Sequence, residues 1–144
     1  MRKEYIPFVE ELIELAIKED IGDGDHTSLA TIPADHHGRM KLLVKQSGII
    51  AGIEVARMIL RRLDPDIKFD QQLNDGVLVT PGDIAFYVEG STISLLQAVR
   101  VFLNVQLRMS GVATQTAVCD ERPDGTKCKV LVTRKKTPGM TYLV

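Results

Sequence analysis

Three consecutive cations follow a short apolar run near the end of this 144-residue sequence. The run Val130-Leu131-Val132 leads into Thr133-Arg134-Lys135-Lys136-Thr137-Pro138-Gly139, a pattern typical of a strand that ends in a loop. In parallel α/β folds, the loops at the carboxyl ends of strands build the active site. Arginine offers a planar fork to carboxylate or phosphate, and lysine offers a compact point charge. The segment is therefore either an anion-binding loop or a solvated basic turn.

A second polar segment runs from Glu19 to Ser28 and reads Glu-Asp-Ile-Gly-Asp-Gly-Asp-His-Thr-Ser. Its two glycines are separated by a single residue and favour turn conformations over helix. A calcium loop is disfavoured because no glutamate follows at the twelfth loop position with a second helix. His26 could act as a metal ligand or acid/base group, but a loop histidine bonded to a neighbouring carboxylate is the more common outcome. No metal ligand is assigned.

A third segment holds Leu95-Leu96-Gln97-Ala98-Val99-Arg100, then Leu103-Asn104, then Arg108-Met109-Ser110-Gly111-Val112-Ala113-Thr114. Taken together, the three segments resemble the quinolinate phosphoribosyltransferase family (nicotinate-nucleotide pyrophosphorylase, carboxylating). Residues 19–28 look like the family's Glu-Asp-x-Gly-x-Gly-Asp-x-Thr-Ser signature, and the third segment is similar to the family's helix that enters the barrel domain. The motifs occur in the family's order, at about its spacing, over nearly the whole chain.

The resemblance implies an α+β fold. Residues 1–105 would form an α/β N-terminal domain, a small mixed sheet with helices, and residues 106–144 would begin an incomplete α/β barrel with its first strand. Family members are about twice as long, so we expect this sequence to be a fragment or a truncated gene product.

The resemblance also implies a reaction: quinolinate and phosphoribosyl pyrophosphate give nicotinate mononucleotide, carbon dioxide and pyrophosphate in NAD biosynthesis. Arg134 and Lys135 match the Arg-Lys pair that contacts quinolinate, and Lys135 is the candidate catalytic residue. Arg100 matches a substrate-binding arginine that reaches the partner subunit's active site, which predicts a homodimer. Mg²⁺ would be bound with phosphoribosyl pyrophosphate, through ligands outside this sequence. No role is carried over to His26.

The sequence departs from the family pattern at positions near these cations. Apolar residues replace glutamate, glutamine and aspartate, and two further positions change charge; the residues found here are Val99, Leu107, Val132, Lys136 and Thr141. Fewer polar groups would then orient the cations, which predicts a looser site and no full activity of the chain alone. The alternative is a non-catalytic relic that dimerises or binds anions. A third candidate is a homologue acting on nicotinate or associated with molybdenum.

The composition excludes several classes of protein. A net charge of −1 gives no support to nucleic-acid binding, which usually requires a strongly basic domain. No apolar run approaches the roughly 18 residues of a membrane span, and the charged N-terminus is not a secretory signal. We therefore expect a cytoplasmic protein without nucleic-acid or membrane partners. Cys119 and Cys128 are expected to be reduced, buried or half-buried thiols.

Periodicity predicts the elements that must position these residues. Helices are predicted over 7–19 and 53–63, and a long buried helix starts at Ser91-Thr92, runs past Leu107 and is interrupted at Gly111. Strands are predicted over 38–46, from 49, over 84–90 and over 128–133. The Asp-Gly and Pro-Gly turns of residues 74–83 also occur in biotinyl- and lipoyl-carrier modules, but this block lacks the lysine that such modules need.

Overall fold

The computed structural model describes residues 1–22, 24–121, 129–131, 133 and 135–143. A short 3-10 helix (Lys3–Tyr5) precedes the regular elements, which in chain order are α1 (Ile6–Ile21), α2 (His26–Thr31), β1 (His37–Leu43), β2 (Gly48–Ile49), α3 (Ile53–Leu63), β3 (Lys68–Gln71), β4 (Leu78–Val79), β5 (Ile84–Ser91) and α4 (Thr92–Glu121). The predicted α+β class is confirmed. The predicted helices at 7–19 and 53–63 and the strands at 38–46 and 84–90 are also confirmed, within a few residues at their ends.

The larger sheet is antiparallel, with strand order β1-β5-β3, and β2 and β4 form a separate antiparallel pair. Side chains alternate along β1 between exposed and half-buried positions, as the period of two requires for a strand with one solvated face. The central strand β5 buries Phe86 and Val88 almost completely. The sheet therefore presents one apolar face to the helices.

An aromatic row links this sheet face to α4. The ring centroids of Phe69 and Phe86 lie 4.6 Å apart, and those of Phe86 and Phe102 lie 5.9 Å apart in an edge-on arrangement. Helix α3 adds its fully buried residues Ile53, Ile59 and Leu60 to the same core. The core is therefore shared by the sheet, α3 and the first half of α4.

The second half of α4 contacts the β2 segment through two hydroxyl groups. Thr114 Oγ1 accepts a hydrogen bond from the Ile49 amide at 2.9 Å, and Ser110 Oγ accepts one from the Ala51 amide at 3.0 Å. Ser110 and Thr114 are one helical turn apart, so both hydroxyls lie on the same face of α4. The two hydroxyls therefore satisfy backbone amides in and just after β2. Within the described residues, no strand pairs with this edge of β2.

This contact requires glycine at two positions. A Cβ atom on Gly48 would lie 2.6 Å from Thr114 Oγ1. At Gly52 the backbone has φ +97°, which favours glycine, and a Cβ atom would lie 3.2 Å from the Gln106 Cα atom. The helix and the β2 segment therefore approach each other more closely than side chains at these positions would allow.

Three predictions about the chain's second half need correction. Helix α4 is not interrupted at Gly111 but continues to Glu121, because a single glycine lowers helix propensity without preventing a well-packed helix. Residues 129–131 and 133, the described part of the predicted strand 128–133, form no strand. A parallel strand needs hydrogen-bonding neighbours, and no strand of the described chain pairs with this segment. Cys119 is a free thiol as predicted, but it is exposed rather than half-buried.

Elements α2, β3 and β4 were not predicted, and Cys128 lies outside the described residues. The predicted domain boundary at 105 falls inside α4 and stays a prediction. Among the described helices, none is both long enough and apolar enough to cross a membrane.

We expect the two glycines at 48 and 111 to respond oppositely to alanine. Gly48→Ala should destabilise the protein by about 1–3 kcal/mol, because the added methyl group collides with Thr114. Gly111 is exposed in α4, and a Cβ atom added there would meet no atom within 4 Å, so Gly111→Ala should stabilise by about 0.5–1 kcal/mol. Urea unfolding of both variants measures these changes. A Gly48→Ala variant as stable as wild type would contradict the close approach described above.

Candidate anion-binding site

Arg100 joins α4 to the carboxyl end of α1. Its Nε atom donates to Asp20 Oδ2 at 3.0 Å, and its Nη2 atom donates to the Asp20 carbonyl oxygen at 3.4 Å. The last carbonyl groups of a helix lack intrahelical donors, and a cation is favourable at this end of the helix dipole. The contact brings together two sequence motifs that lie 80 residues apart.

The Asp/Gly loop that follows α1 depends on its glycines. Gly22 has φ +57° and Gly24 has φ +143°, both in the region that favours glycine. Helix α1 ends just before this loop, and α2 begins just after it at His26. The prediction that this loop ends the first helix is therefore confirmed.

Asp25 caps α2. Its Oδ1 atom accepts a hydrogen bond from the Ser28 amide at 3.2 Å, and its Oδ2 atom accepts one from the Ser28 hydroxyl at 2.7 Å. An aspartate that bonds the amide three residues later is the usual N-cap arrangement. The sequence Asp25-His26-Thr27-Ser28 carries this signal, and it could have predicted α2.

The charge of Arg100 extends to this second carboxylate. The hydrogen bonds from the Ser28 side chain and backbone lower the pKa of Asp25 below its ordinary value, and the positive charge of Arg100 lowers the pKa further. Arg100 therefore faces two carboxylates, one by direct contact with Asp20 and one through space.

Helix α4 also holds the segment of residues 133–143 that contains the three consecutive cations (the cation segment). The contact lies two helical turns beyond Arg100. Arg108 Nη2 donates to Thr137 Oγ1 at 2.9 Å. Further along the segment, the Tyr142 ring stacks on Phe8 with centroids 4.3 Å apart, and Leu143 is buried in the core. The chain that follows the cations is thus attached to both α4 and α1.

The cations of the segment differ in their surroundings. Lys135 is exposed, and its backbone amide donates to Thr133 Oγ1 at 3.3 Å. Lys136 is half-buried, and its Nζ atom donates to the Thr141 carbonyl oxygen at 3.2 Å. Arg134, predicted as a substrate-binding residue, lies outside the described residues.

Of the predicted site residues, Arg100 lies on α4, and Lys135 lies in the segment that Arg108 holds. Arg100 and Arg108 are about 12 Å apart along the α4 axis, given 1.5 Å per residue. In the part of the chain that the structure describes, no hydrogen bond joins Arg100 to Lys135. The assignment of Arg100, Arg134 and Lys135 to a single site stays a prediction.

Sequence reasoning missed the partners of both arginines. The departures at Val99 and Leu107 predicted arginines without orienting groups, but Arg100 is bonded to Asp20 and Arg108 to Thr137. Val99 packs against the core, and Leu107 is 69% exposed. No local sequence signal pairs residues this far apart in the chain.

The described residues contain no group of three or more His, Cys, Asp or Glu side chains placed to hold a metal ion. Asp20 and Asp25, the two carboxylates described above as interacting with Arg100, are engaged by Arg100 and Ser28. These residues therefore do not fit a magnesium site by themselves.

An open groove of ≈ 460 Å³ lies between β2 and the second half of α4. It is lined mainly by small and apolar side chains, among them Ile49, Met109, Val112, Ala113 and Leu143. Neither Arg100 nor Lys135 lines it, so this groove is separate from the described residues that were predicted to bind anions.

Comparisons with known proteins agree on one family. The family model described as quinolinate phosphoribosyl transferase, N-terminal domain, matches residues 25–110. The chain is 44% identical over 131 residues to quinolinate phosphoribosyltransferase [decarboxylating] 1b of Nicotiana tabacum, covering 90% of this chain and 37% of that protein. It is 33% identical over 127 residues to a probable nicotinate-nucleotide pyrophosphorylase [carboxylating] of Synechocystis sp., covering 88% of this chain and 43% of that protein.

Solved structures agree as well. NadC from Streptococcus pyogenes superposes with a TM-score of 0.90 at 30% identity, covering 94% of this chain and 48% of that one. The nicotinate-nucleotide pyrophosphorylase from Francisella tularensis superposes with a TM-score of 0.88 at 28% identity, again covering 94% of this chain and 48% of that one. The chain thus spans less than half the length of these relatives.

The lowered pKa of Asp25 predicts a stability loss in acid. The folded-state pKa lies below the ordinary value of 3.8, so the stabilisation is present above that pH and is lost as the pH falls through the folded-state pKa. Asp25→Asn keeps a capping oxygen but cannot titrate. We expect the unfolding free energy of wild type to fall more steeply than that of Asp25→Asn below about pH 4. Exposed Asp35→Asn serves as the control, and parallel curves for wild type and Asp25→Asn would contradict the prediction.

Proposed function

This chain belongs to the quinolinate phosphoribosyltransferase family, and we propose that it supplies the N-terminal domain and part of the substrate-binding cations of an enzyme making nicotinate mononucleotide. The substrates would be quinolinate and phosphoribosyl pyrophosphate, and the other products carbon dioxide and pyrophosphate. The observation that carries the proposal is that α4 bears Arg100 and, through Arg108, also holds the segment containing Lys135.

The substrates of this reaction are polyanions, so their binding site requires fixed cations. Quinolinate is a dicarboxylate and phosphoribosyl pyrophosphate carries several phosphates, so a site must offer positive groups that do not need to be reorganised. Departure of pyrophosphate leaves positive character on the ribose, and loss of carbon dioxide puts electron density on the pyridine ring. Lys135 is the proposed catalytic residue because a nearby ammonium group would stabilise that electron density.

Mg²⁺ would enter with phosphoribosyl pyrophosphate, since magnesium is usually held by one or two carboxylates together with substrate phosphates. The described residues do not fit a resident site, so no step is assigned to the metal.

We propose that the 144-residue chain alone binds substrate weakly and does not turn it over. Lys135 is exposed and Arg100 is 52% exposed, so water screens both charges. The alternative is a non-catalytic relic that dimerises or binds anions, and the departures from the family pattern at Val132, Lys136 and Thr141 favour it. The two candidates differ in whether turnover appears in a protein of the relatives' length that contains this chain.

The location of the protein stays a proposal. We propose a cytoplasmic protein, although relatives in tobacco and Arabidopsis are named mitochondrial or chloroplastic. Fractionation of the source cells tests this proposal directly.

We expect the 144-residue chain to release no measurable pyrophosphate and to bind quinolinate with a dissociation constant in the millimolar range at best. Lys135→Ala should weaken binding by about two- to fivefold, as for an exposed ion pair, and added salt should weaken binding further. Titration followed by amide chemical shifts at low ionic strength measures both effects. Exposed Lys129→Ala is the matched control and should change little.

Two outcomes would contradict this prediction. Turnover by the 144-residue chain that disappears in Lys135→Ala would show that the chain suffices for catalysis and would exclude the relic. Shifts confined to a patch away from Lys135 and Arg100 would exclude the assigned site.

We also propose that the protein is a homodimer that covers one face of α4. Leu96 and Leu107 are 37% and 69% exposed and lie three helical turns apart on the face that also carries Arg100. Exposed leucines in such a stripe favour an interface, and a partner covering the stripe would also contact Arg100.

Leu107→Glu should therefore shift the protein towards the 16.0 kDa monomer in sedimentation velocity at micromolar concentration. The matched control is Leu15→Glu, which places the same charge on a leucine of α1 that is 60% exposed. A wild-type protein that stays monomeric over this range would contradict the proposal, as would equal disruption by both variants.

A further inference from the structure

Asp20 lies where its charge opposes the helix that carries it. It occupies the last turn of α1, and a carboxylate at a helix C-terminus is destabilising because the helix dipole is negative there. Its side chain is only 27% exposed, which removes part of the compensating solvent. Arg100 offsets both costs by contacting the carboxylate and the carbonyl oxygen of the same residue.

The two hydrogen bonds occupy one edge of the guanidinium group. A guanidinium carries five N–H donors in a rigid plane, and Nε and Nη2 share one of its edges. Asp20 accepts from this edge with Oδ2 at 3.0 Å and with its carbonyl oxygen at 3.4 Å. Within the described residues Arg100 makes no other hydrogen bond, so no described residue occupies the N–H groups on the Nη1 side.

We propose that Asp20 is a positioning residue, which holds Arg100 by one edge of its guanidinium so that the other edge can bind a carboxylate of the substrate in a bidentate manner. The free edge offers two parallel N–H groups, which match the two oxygens of a carboxylate. A half-exposed arginine otherwise samples many rotamers, and a ligand must restrict that freedom when it binds. Asp20 restricts it in advance. The ligand part of this inference rests on the proposed function, in which quinolinate is the dicarboxylate.

A purely electrostatic role makes the opposite prediction. The carboxylate of Asp20 repels an incoming dianion and competes for Arg100, so its removal would tighten binding if orientation did not matter. Substitutions that separate the acceptor oxygen from the charge therefore distinguish the two roles. Asp20→Asn keeps an acceptor oxygen and removes the charge, whereas Asp20→Leu removes both and keeps the branched shape of the side chain.

The first measurement needs no ligand. The exchange of the Arg100 Nε hydrogen with water, followed by nitrogen-15 NMR and assigned with Arg100→Lys, reports whether the guanidinium is held. We expect slow exchange in wild type and Asp20→Asn, and exchange at least several-fold faster in Asp20→Leu. Glu19→Gln removes the same charge from the adjacent exposed residue and should leave the exchange unchanged.

The second measurement is the quinolinate affinity of wild type, Asp20→Asn, Asp20→Leu and Glu19→Gln at low ionic strength. Asp20→Leu should bind about three- to tenfold more weakly than wild type, the range expected for losing one pre-ordered long side chain. Asp20→Asn should bind as tightly as wild type or more tightly. Thermal unfolding of each variant identifies any loss of affinity that follows from a loss of folding. If Asp20→Leu does not fold, the Arg100 Nε exchange of wild type provides the test, because fast exchange there would show that Asp20 does not hold Arg100.

Each outcome decides the inference. Tighter binding by both Asp20 variants would overturn positioning and favour simple repulsion, and equal affinity of all four proteins would also overturn it. Fast Nε exchange in wild type would show that Asp20 does not hold Arg100. If wild type binds no quinolinate, the binding part of the proposed function is wrong and the ligand part of this inference falls with it, whereas the exchange measurement still decides whether Asp20 orients Arg100.

Discussion

The close approach of α4 to the β2 segment is the constraint on which the rest of this structure depends. It is possible because Gly48 and Gly52 carry no side chain, and it is fixed because Ser110 and Thr114 bond the backbone at Ile49 and Ala51. A side chain at either glycine would push the helix outward. The core row of aromatic rings and the fully buried residues of α3 would then lose contact with α4, since protein interiors tolerate little change in packing.

Because α4 is fixed along its length, it sets the distance between charged groups that come from distant parts of the sequence. Its first half contacts the end of α1 through Arg100, and its second half contacts the cation segment through Arg108. A rigid helix holds side chains more accurately than a loop does. The chain thus uses one long helix both as the centre of its core and as the support for its predicted anion-binding groups.

Exposure to solvent limits what the charges of these groups could contribute to anion binding. Arg100 and Lys135 face water, and ion pairs in water contribute little because solvent and salt screen them. The same charges become effective when a site excludes water and the donors are already in place. The contact with Asp20 restricts the Arg100 side chain. Water would have to be excluded from the site by other chain segments or by a partner.

The sequence by itself determined the elements with strong local signals and the family. Residues 53–63 form the predicted helix because apolar side chains recur at helical spacing, and residues 84–90 form the predicted strand because β-forming residues lie between clear turn signals. The loop at Gly22 and Gly24 was predicted for the same local reason. Other elements were not predicted: the capping signal of α2 was not used, the short strands β3 and β4 were missed, and Gly111 was taken to interrupt a helix that tertiary packing keeps intact. Only the tertiary structure paired Arg100 with Asp20 and Arg108 with Thr137, because contacts between residues 80 and 29 positions apart depend on how the elements pack and leave no periodic trace in the sequence.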